Sequence, residues 1–360
     1  MKQMHIKSQI QQECLEAIKP FKLAGAVLGT GAGKTLLGLK HMASLYTDVS
    51  LFLIVAPKLS IHDEWKKQAV EHGYEYLLPH MKFTTYLSIA KQEFDFDYVY
   101  LDECHNLKLK HTAWLTYYNG PILGFTGTYP VNEHSDSYKA CYTFCPVKYK
   151  YTIEDGIDAG MLNNYKIYVH LLKLENKVIN YKPKYGGMTT EASDYAMHNR
   201  KVLYAKPQRI AMARIHRMKA IQSYNTKINY TKKLLKKQTE KTLVFTDYTA
   251  QADEICEHSY HSKNKNSKNN LEMFCDGKIN SLSSVLQIAE GANIPNLKVG
   301  IIMHSYANEK KLPQKIGRFL RLNPDQESIV HVLCYQDTID LDWCKKALKS
   351  FDKNKIFKYV

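Results

Sequence analysis

A glycine-rich segment near the start of the chain has the composition needed to surround phosphate groups. It follows the apolar residues 24–28 and reads Gly29-Thr30-Gly31-Ala32-Gly33-Lys34-Thr35. Glycines let backbone N–H groups approach phosphate oxygens, and the N-terminus of a following helix adds partial positive charge. Lys34 can reach the β- and γ-phosphates of a nucleoside triphosphate, and the Thr35 hydroxyl can bind Mg²⁺. The strict form of the motif has one more glycine, where this chain has Leu28.

An acidic pair follows another apolar segment. Residues 98–101 read Tyr-Val-Tyr-Leu and lead directly into Asp102-Glu103-Cys104-His105. Such pairs are usually surface charge, but behind a phosphate loop Asp102 can hold magnesium and Glu103 can polarise the attacking water.

A third segment, residues 314–321, offers Arg318 and Arg321 for the charge that develops on a transferred phosphoryl group. The three segments together predict hydrolysis of a nucleoside triphosphate, with ATP and Mg²⁺ as the cofactors.

Apolar runs place these segments in a coarse fold. We expect strands at residues 24–28, 51–56, 98–101 and 122–126, and again at 242–246, 284–288, 299–303 and 329–333. Residues 208–237 and 250–258 favour helices, and 181–190 favour an exposed loop. Strands that alternate with helices predict an α/β fold with two parallel sheets, and ligands bind such sheets at the carboxyl ends of their strands.

The charge of the chain is concentrated in its middle. The net charge is +15, and residues 171–240 contain 16 Lys/Arg against 4 Asp/Glu. A segment of this density attracts a polyanion, usually nucleic acid, although a solvated helical face is the alternative.

Composition excludes several classes of protein. With 360 residues, 44% of them hydrophobic and 24% charged, the chain is expected to form two globular domains. No apolar run spans a bilayer and the N-terminus lacks a signal peptide, so we expect an intracellular, cytoplasmic protein with no membrane partner. The eight scattered cysteines favour reduced thiols, and the lone pair Cys141 and Cys145 does not favour a metal site.

The order of the three segments resembles that of superfamily 2 helicases of the DEAD/DEAH-box group, with Asp102-Glu103-Cys104-His105 as a D-E-C-H variant. Further similar segments are residues 56–58 with Trp65, 84–86, 125–130, 244–248 and 290–295. The likeness is greatest to phage-type DNA helicases related to the motor subunits of restriction enzymes. It implies two RecA-like parallel-sheet domains in tandem, residues 1–165 and 236–360, with a basic helical linker or insertion at 166–235.

The resemblance also implies roles for single residues. Gln11 is the best match for the glutamine that reads adenine, with Gln9 and Gln12 as alternatives. Arg318 and Arg321 would reach the γ-phosphate, with Arg321 favoured as the transition-state finger. Thr126 and Thr128 would couple nucleotide state to domain closure, and His105 could couple hydrolysis to the neighbouring sheet. The nucleotide would be bound by Gln11, Gly29, Thr30, Gly31, Ala32, Gly33, Lys34, Thr35 and Gly291, and the nucleic acid by Lys58, Thr85, Tyr86, Thr246 and Asn293.

The implied function is an ATP-dependent translocase or helicase, acting on DNA in replication, recombination or repair, on a single strand or a fork. A nucleic-acid-stimulated ATPase switch that clamps or remodels without unwinding is one alternative, and an RNA helicase is another. We expect a monomer with replication or recombination proteins as partners, located in the host cytoplasm if the protein is viral.

Overall fold

The computed structural model describes residues 2–29, 31–177, 189–285, 294–307, 311–320 and 326–359, with side chains from His5 onward. It divides the chain into two compact units, Met1–Leu162 and Asn163–Val360.

The first unit is built around a six-stranded parallel sheet with the order β3-β2-β4-β5-β1-β6. Its strands are β1 (Leu23–Leu28), β2 (Phe52–Ala56), β3 (Met81–Thr85), β4 (Tyr98–Asp102), β5 (Ile122–Thr126) and β6 (Val147–Tyr151). Its helices are α1 (Lys2–Ile18), α2 (Lys34–Leu45), α3 (Leu59–Glu71), α4 (Thr112–Tyr117), α5 (Asp136–Phe144) and α6 (Ile153–Asp158).

The central strands of this sheet are apolar throughout because both of its faces are covered. Along β2, Phe52 and Ile54 pack into one buried cluster, while Leu53 and Val55 pack into another on the opposite face. Successive side chains of a strand point to opposite faces of the sheet, and here the side chains on both faces are buried. This is typical of parallel sheets with helices on each side. The predicted strands at 51–56, 98–101 and 122–126 are therefore confirmed, with shifts of at most one residue.

The second unit contains a seven-stranded parallel sheet with the order β13-β7-β12-β11-β8-β10-β9. Its strands are β7 (Asn164–Leu172), β8 (Thr242–Thr246), β9 (Ser259–Tyr260), β10 (Ser281–Val285), β11 (Val299–Ile302), β12 (Glu327–Tyr335) and β13 (Ile356–Tyr359). Its helices are α7 (Glu191–Leu203), α8 (Pro207–Ser223), α9 (Asn225–Leu235), α10 (Thr249–Ile255), α11 (Ser267–Cys275), α12 (Lys311–Phe319) and α13 (Ile339–Ala347). Two parallel sheets in tandem confirm the predicted fold class.

The segment predicted as a linker, residues 166–235, belongs to the second unit. Its first residues lie in β7, which pairs with β12 from Asn164–Glu327 to Leu172–Tyr335 and with β13 on its other side. Sequence reasoning treated the segment as one basic region and missed the strand, since the ladder that stabilises β7 comes from residues more than 150 positions later. Farther along the segment, α7, α8 and α9 are helical, as expected.

Several element boundaries differ from expectation, among them the end of α10 at Ile255 and both ends of β12, and two further differences have local reasons. The predicted helix over 208–237 is divided at Tyr224, which is extended (φ −71°, ψ 143°) and fully buried. Strand β10 begins at Ser281, three residues before the predicted start, because its serines are buried and Ser283 Oγ donates to the Ala252 carbonyl at 2.7 Å. Residues 286–288 of that prediction, and 181–188 of the predicted loop, lie outside the described residues.

All eight cysteines are free thiols, and seven are buried. Within the described ranges, no group of three or more His, Cys, Asp or Glu could hold a metal ion. The helices in those ranges are also too short or too polar for any of them to cross a membrane.

Candidate nucleotide-binding site

The glycine-rich segment forms the loop between β1 and α2. Gly31 and Gly33 have φ angles of 91° and 76°, in the left-handed region that residues with a Cβ rarely adopt. A Cβ on Gly33 would lie 2.5 Å from Cε of Lys7. Since α2 begins at Lys34, the loop leads into a helix N-terminus, where free N–H groups bind anions.

The residues around this loop explain the departure from the strict motif. Leu28 is the last residue of β1 and its side chain is buried in the core, so the turn starts after it. The N–H of Gly29 then donates to the Tyr151 carbonyl at 2.8 Å, which ties the loop to β6. Ala32 is buried, Thr35 is half-buried, and Thr30 lies outside the described residues.

The structure distinguishes the three glutamines of α1. Gln11 is buried, and its Nε2 donates to the carbonyls of Ala32 and Gly33 at 3.1 and 3.3 Å. Gln9 and Gln12 are exposed and bond only along their own helix, to Glu13 and Glu16. Oε1 of Gln11 is buried and accepts no hydrogen bond from the described residues. A nucleotide amino group is a donor that fits this free acceptor.

Glu103 is held between two cationic or hydrogen-bonding groups at the end of β4. Its Oε1 lies 3.6 Å from Nζ of Lys34, and its Oε2 lies 3.1 Å from Nδ1 of His105. Burial raises the pKa of the Glu103 carboxyl, but the charge of Lys34 and the hydrogen bond of His105 outweigh burial and lower it. Glu103 is therefore a carboxylate at neutral pH, the state needed to accept a proton from water.

Asp102 has the opposite electrostatic situation. Burial and the neighbouring charge of Glu103 raise the pKa of Asp102, although the hydrogen bond from Trp65 opposes them. Trp65 Nε1 donates to Oδ2 at 2.8 Å, and the backbone N–H of Glu103 donates to Oδ1 at 2.8 Å. A buried carboxylate in this environment gains from a nearby divalent cation, so Asp102 and the Thr35 hydroxyl fit a magnesium site.

His105 connects the acidic pair to the next strand. Its Nδ1 lies 2.8 Å from Oγ1 of Thr126, the last residue of β5. Thr126 Oγ1 in turn donates to the carbonyl of Thr128 at 3.0 Å and accepts from its N–H at 3.1 Å. The structure thus brings Lys34, Glu103, His105 and Thr126 together in one chain of contacts.

The residues predicted to line a nucleic-acid track fall into two groups. Lys58 is exposed at the N-cap of α3, and Thr85 is half-buried at the end of β3. Tyr86 is buried at 4% exposure and donates from its hydroxyl to the Asp102 carbonyl at 2.9 Å. Thr246 is fully buried, and its Oγ1 lies 3.3 Å from the Tyr248 carbonyl.

Both side chains are buried in this structure, and the assignment of Tyr86 and Thr246 to a nucleic-acid track stays a prediction. Tyr86 packs in the core of the first unit, and its hydroxyl supports the end of β4 through the Asp102 carbonyl. Sequence likeness identified these segments but could not assign each side chain to the inside or the outside.

Of the arginine pair, only Arg318 is described. It lies half-buried on α12, one residue before the helix ends at Phe319. Arg321, Gly291 and Asn293 lie outside the described residues, so their assignments stay predictions.

Sequence reasoning missed a buried polar cluster in the second unit. Lys315 is 1% exposed, and its Nζ donates to the Tyr306 hydroxyl at 2.5 Å, which itself donates to Asp247. Burial lowers the pKa of Lys315 to about 8, although the charge of Asp247 opposes this. Asp247 and Lys315 lie in two of the helicase-like segments, but nothing in their spacing indicates that they meet.

Comparisons with known proteins agree with this geometry. Residues 226–323 match the helicase conserved C-terminal domain. The sequence is 24% identical to the DNA 3'-5' translocase XPB2 of Sulfurisphaera tokodaii, over 92% of this chain and 82% of that protein.

Two solved structures share the fold. The ATP-dependent type ISP restriction-modification enzyme LlaBIII, bound to DNA, matches 98% of the chain with a TM-score of 0.62 and 13% identity. A fragment of a putative HsdR subunit of a type I restriction enzyme from Vibrio vulnificus matches 98% with a TM-score of 0.61 and 15% identity. The chain spans 31% of the first protein and 67% of the second.

Proposed function

We propose, on the premise that this chain is an ATP-hydrolysing protein of the superfamily 2 helicases, that it moves along DNA. The observation that carries the proposal is the chain of contacts from Lys34 through Glu103 and His105 to Thr126. These residues lie at the carboxyl ends of three adjacent strands, where ligands of parallel sheets bind, and this supports roles as a phosphate-binding lysine, a general base and a relay.

Each group has a distinct part in ATP hydrolysis. The loop N–H groups and Lys34 hold the phosphates, and the ionised Glu103 accepts the proton of the attacking water. Asp102 and Thr35 would hold Mg²⁺, which when bound supplies positive charge that offsets the charge of the phosphates. Oε1 of Gln11 would accept a hydrogen bond from the adenine amino group, while Nε2 keeps its hydrogen bonds to the loop carbonyls.

The contacts of His105 with Glu103 and Thr126 would transmit the effect of ATP hydrolysis to other residues of the first unit. When Lys34 turns toward a bound phosphate, Glu103 loses its cationic partner and the balance of its contacts with His105 changes. His105 contacts Thr126, whose hydroxyl fixes the backbone of Thr128. The occupancy of the site therefore changes the conformation preferred by residues 126–128.

DNA is favoured as the track by what the similar proteins act on. XPB2 is described as a DNA translocase and LlaBIII is bound to DNA. The basic residues between 171 and 240 suit the phosphates of either a single strand or a fork. We place the protein in DNA replication, recombination or repair, as a phage-type D-E-C-H motor that works as a monomer.

A reducing compartment suits the chain. Seven buried free thiols and one half-buried thiol would persist unpaired in a cytoplasm, including that of a host cell. Arg318 and Arg321 are proposed to act on the γ-phosphate, as the family resemblance implies.

The direct test is ATP turnover measured in parallel with single-stranded DNA, duplex DNA, forked DNA and RNA. We expect stimulation by DNA, greatest with single strands or forks, and displacement of one strand from the forked substrate. Turnover that no nucleic acid changes would refute the proposal. Stimulation by RNA alone would support an RNA helicase, and stimulation without strand displacement would support a clamp or switch.

A further inference from the structure

Helices α7 and α8 form a hairpin, residues 191–223, that we call the arm. Its base is fixed to the second unit by buried contacts. Glu191 accepts hydrogen bonds from the N–H and the hydroxyl of Thr226 at 2.9 and 2.8 Å. Asp194 accepts one from the Tyr224 hydroxyl at 2.9 Å. These contacts hold the start of α7 against the junction of α8 and α9.

The two helices of the arm are also tied to each other. Arg217 on α8 donates to Asn199 Oδ1 on α7 at 2.6 Å, and Val202 is buried near the far end. A helix of 13 residues extends roughly 20 Å. The arm is thus a preorganised projection whose end is held at a fixed distance from its base.

The end of the arm, residues 203–206, exposes two apolar side chains that the fold does not use. Leu203 is 70% exposed and Tyr204 is 84% exposed, the latter at the C-cap of α7. The turn itself is well formed, since the Tyr204 N–H donates to the Arg200 carbonyl at 3.0 Å and Pro207 starts α8. An exposed aromatic ring on an ordered turn gains no folding stability from its position.

The chain on both sides of this ring is cationic. From residue 195 to residue 239 the sequence contains twelve Lys/Arg and no Asp or Glu. Five of these cations are exposed along the outer half of the arm: Arg200, Lys201, Lys206, Arg209 and Arg214. A ligand for this surface must therefore present closely spaced negative charges together with an apolar or aromatic face.

We propose that the end of the arm is a binding site for single-stranded DNA, in which Tyr204 stacks on an unpaired base and the flanking cations contact the phosphates. The proposal rests on the proposed function. Single strands fit both features at once, because each nucleotide offers a flat π-face and a charged phosphate a few ångströms away. Duplex DNA fits less well, since its bases are already stacked on each other.

The site also supplies what strand separation requires. A rigid projection that carries an aromatic side chain can occupy the stacking position left by a base as it unpairs. At a fork, Tyr204 would stabilise the first unpaired base. The arm thus acts on the bases, whereas the nucleotide-binding site acts on ATP.

The first test is the affinity of Tyr204→Ala for a fluorescein-labelled single-stranded oligodeoxythymidylate. We expect binding to weaken by roughly five- to a hundredfold, the range found when one base-stacking aromatic is removed. Tyr204→Phe keeps the ring and should bind as the wild type does. Tyr117→Ala removes a 75%-exposed tyrosine from α4 of the first unit and is the matched control, with no expected change in affinity.

The second test locates the contact directly. A single strand that contains 5-iododeoxyuridine should cross-link on irradiation to the peptide that carries Tyr204, and Tyr204→Ala should abolish that adduct. Equal affinity of Tyr204→Ala and wild type, with no adduct at the arm, would overturn the proposal and leave the surface to an acidic protein partner. ATP turnover separates the arm proposal from the proposed function. If DNA stimulates turnover equally in Tyr204→Ala and wild type, and the variant shows no loss of affinity, only the DNA-binding role of the arm is refuted. If no nucleic acid stimulates turnover of the wild type, the proposed function is refuted.

Discussion

Glu103 is the residue at which local conformation and chemistry are most closely linked. It has φ 49° and ψ 50°, a left-handed conformation that is uncommon for a residue with a Cβ. Such conformations persist where surrounding contacts enforce them, and they are concentrated at functional sites. Here the turn directs the carboxylate toward Lys34 and His105, while its backbone N–H donates to Asp102.

Replacement of Glu103 by Gln should separate ATP binding from hydrolysis. Gln keeps the shape but cannot accept the proton, so turnover should fall by about a hundredfold or more, with ATP affinity retained. Lys34→Ala should lower turnover and ATP affinity together, because it removes charge from the phosphates. Turnover assays with fluorescent-nucleotide binding test both variants, and the exposed Glu133→Gln serves as the control. Near-normal turnover in either variant would disprove the assigned site.

Gln11 should matter for nucleotide use in a way that its neighbour does not. Gln11→Ala removes two hydrogen bonds to the phosphate loop, so we expect about a tenfold rise in the half-saturating ATP concentration. It should also narrow the preference for ATP over GTP. Gln12→Ala removes only an exposed bond to Glu16 and should change neither value. Equal effects of the two substitutions would show that Gln11 has no special role.

At the scale of elements, the second unit is joined by a buried network between its helices and its sheet. Lys227 on α9 and Asp340 on α13 form an ion pair of 2.6 Å, with side chains 1% and 2% exposed. Asp340 also accepts from the N–H of Tyr335, the last residue of β12. The network joins α9 and α13 to the end of β12.

Removal of one member of this pair should be costly. Lys227→Met leaves Asp340 as a buried charge, and we expect a decrease of about 3–5 kcal/mol in the free energy of unfolding. Lys232→Met, on the same helix, breaks the exposed pair with Glu254 and should cost under about 1 kcal/mol. Hydrogen exchange of the β12 amides reports on this unit alone. Similar small costs for both variants would mean that the buried pair contributes little.

At the scale of the whole molecule, the distribution of charge decides which surface attracts nucleic acid. Nine of the sixteen Lys/Arg between residues 171 and 240 lie on α7, α8 and α9 of the second unit. Some of these cations are already paired, as Lys227 and Lys232 are. The exposed ones remain available to phosphates.

Replacement of Arg209, Arg214, Lys219 and Lys233 by Gln should weaken DNA binding irrespective of sequence. The logarithm of the binding constant for single strands falls linearly with the logarithm of the salt concentration. The slope of that line should become shallower by about 0.7 for every phosphate that the variant no longer neutralises, because fewer counterions are released. ATP turnover without DNA should be unchanged. The same substitution at Lys19, Lys67, Lys91 and Lys110, all exposed in the first unit, is the charge-matched control. An unaltered salt dependence would mark the basic helices as an ordinary solvated surface.

The sequence by itself determined the features of this protein that depend on interactions between residues close together in the chain. Buried strands of parallel sheets are continuous apolar runs, so β5 and β8 were predicted to the residue. The glycines of the phosphate loop and the acidic pair after β4 follow from local conformation and from chemistry that admits few residue types. Their placement at the same edge of the sheet follows from the parallel topology.

Tertiary structure alone decided which side chains face the site. Gln11 rather than Gln9 or Gln12 reaches the loop because of the rotation of α1 against the sheet. Tyr86 and Thr246 lie inside because packing of the neighbouring strands covers them. Strand β7 exists because β12 and β13 pair with it from the far end of the chain. Interactions between residues far apart in the sequence leave no local pattern. Those interactions decide whether each side chain points into the core, toward the site or toward solvent.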